Sequence, residues 1–299
     1  MMRRVLIGVA AFGLLLATCA EENPVIAPTG TGTPPATAAE CTTANQDAFE
    51  SPGRLTIGTG NPAFPPWWEG GESEGSEFEF NDPAKGEGYE GAVAAEVASR
   101  LGFSFPDEVV FVQVTFNESF APGPKDFDFV LQQISYKAKR DEAVDFSESY
   151  YDVNQALVAA QDSSIAGATT VAELADAKLG APIGTTSLDV IEDVIQPSQE
   201  PNVYDDLALA IQDLKSGAID GVIVDLPSAF FITAVQFTKG VVVGQFEQES
   251  QEYFAMVFET GSPLVECVNL ALQEIRADGT LDAIHQEWLA DKTNAPVLS

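Results

Sequence analysis

Residues 179–187 read Leu-Gly-Ala-Pro-Ile-Gly-Thr-Thr-Ser, an apolar run that ends in a glycine and three hydroxyl side chains. The apolar run predicts a strand, and Leu188 and Ile191 beyond it recur at the spacing of a helix face. The same elements return further along, where a helix closed by Gly217 precedes an apolar strand over 220–224. Strands that alternate with helices predict an α/β fold built on open, mostly parallel sheets.

Two extended apolar runs, residues 155–160 and 254–258, divide the rest of the chain. Each is predicted to cross between two lobes flanked by helices. Residues 46–153 and 253–299 would then form lobe 1, and residues 154–252 would form lobe 2. Two lobes joined by two crossings leave a cleft with a hinge, which is where a ligand is expected to bind.

The N-terminus has the features of an export signal. Two arginines precede an apolar core over residues 5–17, which is too short to span a bilayer as a helix, since that takes about 20 residues. Its length matches a signal peptide. Residues 16–19, Leu-Ala-Thr-Cys, resemble a bacterial lipobox. We therefore predict a lipoprotein signal peptide over 1–19 with a lipid on Cys19; the alternative is an ordinary cleaved signal.

Residues 20–45 consist mainly of Pro, Thr, Ala, Gly and Glu. Such a segment buries too little apolar surface to offset its ordering entropy, so it predicts a flexible tether. Signal, lipid and tether together predict an exported domain, anchored to the cell membrane by lipid alone and facing the periplasm or the cell exterior.

The chain is strongly acidic, with 14 Lys and Arg against 46 Asp and Glu and a formal net charge of −32. Nucleic-acid binding needs clustered basic residues, so the charge excludes nucleic acid as a partner. The same charge keeps the protein soluble and repels it from anionic lipid head groups.

The three cysteines divide between two uses. With Cys19 assigned to lipid, Cys41 and Cys267 remain in an oxidising compartment, where they either pair or stay as buried thiols. We predict a disulfide that ties the start of the folded domain to a C-terminal helix. His285 is the one histidine of the sequence, and no metal-site spacing is present, so neither a metal nor a cofactor is expected.

Three features point to recognition of a zwitterion. Arg140 carries a planar guanidinium that can bind a carboxylate through two hydrogen bonds. Residues 184–187 open a helix, whose free N–H groups favour an anion. Asp225 follows a buried strand, at the end where open α/β sheets bind their ligands, and can accept from an ammonium group. Each has an ordinary alternative, namely a surface arginine, a helix N-cap and a turn aspartate.

The order of these features resembles the family 3 solute-binding proteins of polar amino-acid ABC importers. The matching stretches are residues 57–67, 88–91, 140–151, 184–187, 220–225 and 276–281. The resemblance covers nearly all of the predicted domain and implies the two-lobed periplasmic-binding-protein fold. It also implies a monomer that captures an amino acid by closing its cleft and delivers it to the permease and ATPase subunits of an importer.

The resemblance implies a role for each residue of the zwitterion site. Arg140, with Ser135, is expected to clamp the α-carboxylate of the ligand from lobe 1. Thr185 and Thr186 are expected to donate to the same carboxylate from lobe 2. Asp225 is expected to accept from the α-ammonium.

The resemblance also implies an aromatic wall against the ligand side chain. Phe64 holds the position of the family's aromatic ring, and Trp67 or Trp68 is expected to complete the wall. All three rings lie near prolines in one loop, and packing in the core is the alternative for them.

Two positions depart from the family. Lys137 replaces a threonine whose hydroxyl helps to bind the carboxylate, and Gly60 replaces an acidic residue that favours a cationic ligand. Glu90 is a candidate to supply the missing acid. Because of these departures, the side chain of the ligand stays open.

Two other functions occur on folds of this kind. A sensory binding protein would have the same cleft, so the cleft does not separate it from a transport protein. A lyase or a cell-wall-cleaving enzyme needs a placed acid or base. No carboxylate here belongs to a catalytic motif, and His285 is predicted on the final helix, away from the cleft. We therefore predict a binding protein and not an enzyme.

Overall fold

The structure is a computed structural model that describes residues 36–246, 251–292 and 294–298. Its strands are β1 (Leu55–Thr59), β2 (Val109–Gln113), β3 (Phe129–Val130), β4 (Asp145–Val153), β5 (Gln155–Ala160), β6 (Leu179–Pro182), β7 (Asn202–Tyr204), β8 (Gly221–Asp225), β9 (Gly240–Phe246) and β10 (Glu252–Phe258). Its α-helices are α1 (Ala38–Ala44), α2 (Tyr89–Leu101), α3 (Phe116–Ser119), α4 (Ala138–Asp141), α5 (Thr186–Asp189), α6 (Leu207–Ser216), α7 (Leu226–Phe231), α8 (Leu264–Ala277) and α9 (Thr280–Trp288). None of the helices in these ranges is long and apolar enough to cross a membrane. The predicted signal peptide, its Cys19 and residues 20–35 of the predicted tether lie outside the described residues.

The strands form two five-stranded sheets. One sheet and the helices packed on it form lobe 1, and the other sheet and its helices form lobe 2. The strand order is β2-β1-β3-β10-β4 in lobe 1 and β7-β6-β8-β5-β9 in lobe 2. The predicted α/β fold is confirmed. The sheets are mixed, however, and not mostly parallel. In lobe 1, β10 pairs antiparallel with β3 and β4; in lobe 2, β5 pairs antiparallel with β8 and β9. These antiparallel pairings involve the strands that carry the chain across the hinge, and hydrophobic periodicity does not report strand direction.

Each lobe has a core built from the apolar faces of its helices. In lobe 1, α2 buries Val93 and Val97, and α8 buries Val268 and Leu272. Helix α2 ends at Gly102, whose φ of +94° lies in the left-handed region that glycine adopts without strain. The helical stripes seen in the sequence are therefore the faces that hold the lobe together.

Helix α1 corrects the prediction of a tether over residues 20–45. Thr37 caps the helix, since its hydroxyl accepts from the backbone N–H of Glu40. Ala38 and Cys41 are fully buried, and Cys41 forms a disulfide with Cys267 of α8, as predicted. A short helix of ordinary composition is held here by tertiary contacts and the disulfide, which composition alone does not reveal.

The C-terminal segment corrects the assignment of all residues after 253 to lobe 1. Val297 forms a β-bridge with Gln245 of β9, and the backbone N–H of Leu298 donates to the carbonyl of Gln245. Leu298 and Ala295 are buried in the apolar clusters of lobe 2. After α9 the chain therefore returns to lobe 2 and adds a contact between the lobes beside the two crossings.

Candidate ligand-binding site

Arg140 lies at the boundary between the lobes. It sits on α4, directly before β4, and only 7% of its surface is exposed. Its Nη1 donates to the carbonyl of Ser135 at 2.6 Å, and its Nη2 reaches across to the carbonyl of Gly184 in lobe 2 at 2.8 Å. The guanidinium also lies 4.4 Å from the ring centroid of Phe120, a cation–π contact.

Arg140 is a buried cation with carboxylates near it but none bonded to it in the described part of the chain. Burial lowers its pKa to about 10, so it remains protonated at neutral pH, and Asp189, Glu252 and Asp225 are close enough to raise that pKa. Among the residues that the structure describes, it forms no ion pair with Asp or Glu. The two groups that accept its hydrogen bonds are neutral carbonyls. A buried cation in this state favours an incoming anion, because a hydrogen bond between two charged groups replaces one from the guanidinium to a neutral carbonyl.

Asp225 lies on lobe 2, at the carboxyl end of β8 and before α7. Gln155, the first residue of the neighbouring strand β5, donates from Nε2 to its Oδ1 at 2.7 Å. Burial raises the pKa of Asp225 to about 7, and the nearby carboxylate of Glu252 adds to the shift. Both effects disfavour the ionised form. A cation placed against Asp225 would relieve them.

The helix start at residues 184–187 faces Arg140 from lobe 2. Thr185 caps α5: its hydroxyl accepts from the N–H of Leu188 at 3.2 Å and donates to the carbonyl of Pro182 at 2.8 Å. The hydroxyl of Thr186 lies 3.3 Å from Gln155 Nε2. The side chain of Thr185 is thus used for capping, and only its backbone N–H is left to serve the predicted role of a donor to the ligand.

The predicted aromatic residues have different surroundings. Phe64 is partly exposed, and its ring centroid lies 5.3 Å from that of Phe80. Trp67 is buried against Tyr151 and Phe254, and its indole Nε1 donates to Ser228 Oγ of lobe 2 at 2.8 Å. Trp67 therefore contributes both to the core of lobe 1 and to the contact between the lobes.

Trp68 lies on the core side of the same loop. It is 2% exposed, and its ring packs edge-on against Phe111 of β2 at 5.7 Å. Of the two tryptophans, Trp67 is thus the one that contacts lobe 2.

The sequence model of the bacterial extracellular solute-binding proteins, family 3, matches residues 70–291 of this chain. The chain belongs to this family.

The similar proteins are amino-acid-binding proteins. The L-cystine-binding protein TcyJ of Escherichia coli (strain K12) is 28% identical over 221 residues, which cover 72% of this chain and 80% of that protein. The L-cystine-binding protein TcyA of Bacillus subtilis (strain 168) is 26% identical over 246 residues, covering 82% of this chain and 84% of the relative. A solved structure of an ancestral arginine-binding protein bound to glutamine matches with a TM-score of 0.65 at 27% identity. That match covers 79% of this chain and 97% of the other.

In this solute-binding protein, the structure shows what surrounds Lys137 and Gly60, the two positions at which the sequence departs from the family. Lys137, which replaces the threonine, forms an ion pair with Asp189 of α5 and so joins lobe 1 to lobe 2. A Cβ at Gly60 would lie 2.5 Å from the side-chain nitrogen of Gln132. The Gln132 amide thus fills the space where an acidic side chain would begin.

Glu90, the candidate for the missing acid, is fully buried in lobe 1. It accepts from the backbone N–H of Gln133 at 2.7 Å, from the amide of the same residue, and from the hydroxyl of Tyr150. Burial raises its pKa to about 7. Gln133 has a φ of +48°, a strained value for a residue with a side chain. Glu90 therefore fixes the backbone just before Ser135.

Two residues of the site were missed by the sequence reasoning: Gln155, which begins β5, and Glu252, which begins β10. Both are buried polar side chains, and Gln155 Nε2 lies 3.3 Å from each carboxylate oxygen of Glu252. A signal for them was present in the sequence, because each predicted crossing has a polar residue at or just before the start of its apolar run. Crossing strands meet at the hinge, so polar residues at their starts lie at the floor of the cleft.

Proposed function

We propose that this solute-binding protein captures an amino acid between its lobes and delivers it to the permease and ATPase subunits of an ABC importer. The observation that carries the proposal is the state of Arg140, a buried guanidinium held by two carbonyl groups and by no carboxylate among the described residues. Asp225 on the other lobe has a carboxyl group that accepts from the neutral amide of Gln155. A zwitterion supplies one charge for each. Relatives named as cystine-, arginine- and glutamine-binding proteins support this class of ligand.

The mechanism follows from the placement of these two groups on different lobes. The α-carboxylate of the ligand takes the place of the Gly184 carbonyl on Arg140, with the backbone N–H groups of Thr185 and Thr186 as further donors. The α-ammonium binds Asp225. Only the closed form makes both contacts, so the ligand shifts the equilibrium toward closure. Charged hydrogen bonds contribute about 1.5–3 kcal/mol each, and a few of them suffice for micromolar affinity, about −8 kcal/mol.

The wall around the ligand side chain belongs to the same proposal. Phe64 is the partly exposed ring of its loop, and Trp67 ties that loop to lobe 2 through Ser228. In this arrangement Phe64 contacts the ligand, and Trp67 forms its hydrogen bond to Ser228 only when the lobes close. The importer then takes the ligand from the closed protein.

We further propose that the protein is a monomer held at the cell membrane by a lipid on Cys19. The apolar core before this cysteine and the polar segment after it support the lipid anchor, and the monomer is proposed by analogy with the fold alone. Metabolic labelling with a radioactive or alkyne-bearing fatty acid tests the anchor, with Cys19→Ser as the control that should lose the label. Labelling of the variant as strong as that of the unaltered protein would contradict the proposal.

A thermal-shift screen of the purified protein against the L-amino acids and L-cystine tests the binding function. A ligand at 100 times its dissociation constant stabilises by about 2.7 kcal/mol, which raises the melting temperature by roughly 5–10 °C for a domain of this size. Arg140→Ala should abolish the shift. Arg100→Ala removes a partly exposed guanidinium of α2 that pairs with Asp278 and has no contact with Arg140 or Asp225 among the described hydrogen bonds and ion pairs, and this variant should keep the thermal shift. A screen in which no zwitterion raises the melting temperature contradicts the function.

A further inference from the structure

The last described residues of the chain, 294–298, lie on the sheet of lobe 2, and we call them the C-terminal strap. Strand β9 lies at the edge of that sheet, and Val297 of the strap forms a parallel β-bridge with Gln245 of β9. The backbone N–H of Gln245 donates to the carbonyl of Pro296 at 2.7 Å, and the N–H of Leu298 donates to the carbonyl of Gln245 at 2.9 Å. The strap thus continues the sheet of lobe 2 beyond β9.

The strap is also held on lobe 2 by packing. Leu298 is 4% exposed and Ala295 is 8% exposed, and both side chains lie in the apolar clusters of lobe 2. Gly244 of β9 leaves room for them. A Cβ at this position would lie 2.7 Å from Leu298 Cγ and 2.7 Å from the carbonyl oxygen of Pro296. A larger residue at position 244 would therefore push the strap off the strand.

The strap is bonded to the hinge as well as to lobe 2. Gln245 donates from Nε2 to the carbonyl of Ala295 at 2.6 Å, and its Oε1 accepts from Nδ2 of Asn154 at 2.8 Å. Asn154 is the residue between the end of β4 in lobe 1 and the start of β5 in lobe 2. One side chain therefore joins the strap to the point where the chain crosses between the lobes.

A short stretch of chain ties the strap to lobe 1. Leu289 is fully buried in the core of lobe 1, and five residues separate it from Ala295. Three of them, Ala290–Lys292, form a 3-10 turn, in which the N–H of Lys292 donates to the carbonyl of Leu289 at 2.8 Å and its Nζ to that of Trp288 at 2.7 Å. Because a 3-10 turn rises about 2 Å per residue and an extended chain about 3.3 Å, the connection holds little spare length. The end of α9 and strand β9 can separate further only if the turn unfolds or Ala295 leaves lobe 2.

We propose that the C-terminal strap is a conformational restraint that limits how far the cleft opens when no ligand is bound. Opening rotates one lobe away from the other, and the strap is attached to both lobes and to the crossing at Asn154. A wide opening would have to unfold the turn after α9, break the hydrogen bonds of Gln245 or expose Leu298. The ligand-free protein is therefore restricted to narrow openings, and less conformational freedom is lost when a ligand closes the cleft. The inference does not depend on which ligand the protein binds.

Small-angle X-ray scattering of the ligand-free protein tests the inference without any ligand. The test variant carries an insertion of about six Gly and Ser residues between Asn294 and Ala295, which lengthens the connection and keeps the packing on lobe 2. The control carries the same insertion after Gly123, an exposed glycine of lobe 1 with an open surrounding. We expect the radius of gyration of the test variant to exceed that of the control by on the order of 1 Å, against roughly 18 Å for a compact domain of this size. Equal radii overturn the inference.

A second variant and a measurement on the unaltered protein keep the test decisive. Gly244→Val displaces the strap and should widen the opening, whereas Gly167→Val, at an exposed glycine of lobe 2 with no atom within 4 Å of the added Cβ, should not. A folded Gly244→Val protein with the same radius as this control overturns the inference. In the unaltered ligand-free protein, the amide hydrogen of Leu298 should exchange about a hundredfold or more slowly than in an unfolded chain. Exchange at the unfolded rate would show that the strap does not stay on lobe 2, which also overturns the inference.

Discussion

The indole Nε1 of Trp67 donates to Ser228 Oγ at 2.8 Å, a buried hydrogen bond that joins the first loop of lobe 1 to α7 of lobe 2. A hydrogen bond between the lobes forms only when the lobes are in contact. It therefore stabilises the closed form alone, and its loss should lower the affinity for a ligand that binds by closure.

Ser228→Ala should weaken ligand binding about five- to thirtyfold. The variant leaves a buried indole N–H without its partner in the closed form, at a cost of about 1–2 kcal/mol. In the open form water can take the place of the hydroxyl. Isothermal titration measures the change, and Ser198→Ala, an exposed serine of lobe 2 bonded to Asp176, is the matched control. Equal affinities for the two variants would mean that this bond does not contribute to closure.

The ion pair between Lys137 and Asp189 should contribute less than the Trp67 bond. Both side chains keep about a third or more of their surface exposed, and exposed ion pairs are worth about 0.2–1 kcal/mol and are screened by salt. Asp189→Asn should reduce affinity about two- to fivefold at low ionic strength and by less at about 0.5 M salt. A large loss that does not respond to salt would instead place Asp189 in contact with the ligand.

Loss of the Cys41–Cys267 disulfide should lower stability without lowering affinity. The bond closes a long stretch of chain, since its cysteines are 226 residues apart. Removal of such a bond costs about 2–5 kcal/mol. The double variant Cys41→Ser, Cys267→Ser should melt about 5–15 °C lower. Calorimetry measures the shift. A tenfold loss of affinity in the folded variant would contradict the separation of the disulfide from the cleft.

Affinity for the ligand should rise with pH up to about 7 and then level off. The pKa of Asp225 is raised to about 7 by burial and by Glu252, with Glu90 and Arg140 as further charged neighbours. The ammonium binds the ionised carboxylate, so below pH 7 binding must release a proton, and the affinity falls by up to about tenfold per pH unit. Isothermal titration at pH 6 in two buffers of different ionisation enthalpy measures the number of protons released on binding.

Variants separate the contribution of Asp225 to this pH dependence from that of Glu90, whose pKa is also near 7. Asp225→Asn should bind weakly with no pH dependence below 7, whereas Glu90→Gln should keep the dependence. A constant affinity from pH 5 to pH 8 in the unaltered protein would show that Asp225 does not bind the ammonium.

The α/β alternation was predictable because buried strands and amphipathic helices leave different periodicities. Val93, Val97 and the run before Asp225 illustrate this. Strand direction was not predictable, because an antiparallel and a parallel strand can carry the same apolar run. Helix α1 was missed because seven residues of modest propensity fold only against α8.

The candidate site divides in the same way. Arg140 and Asp225 are residues whose chemistry and place in the sequence are enough to suggest a ligand. Gln155 and Glu252 act through each other, and their contact joins strands that are far apart in the chain. The hydrogen bond from the hydroxyl of Ser135 to Glu252 is likewise a long-range contact. Such relationships arise from tertiary structure and leave only a weak local signal.

The most direct test of the central claim compares the bound amino acid with its α-carboxamide, which keeps the ammonium and the side chain but loses the negative charge. We expect the unaltered protein to bind the acid about thirtyfold or more tightly than the amide, since the bond between two charged groups is lost. Arg140→Ala should bind both weakly and nearly equally. Equal binding of acid and amide by the unaltered protein would contradict the assignment of Arg140 as the group that receives the carboxylate.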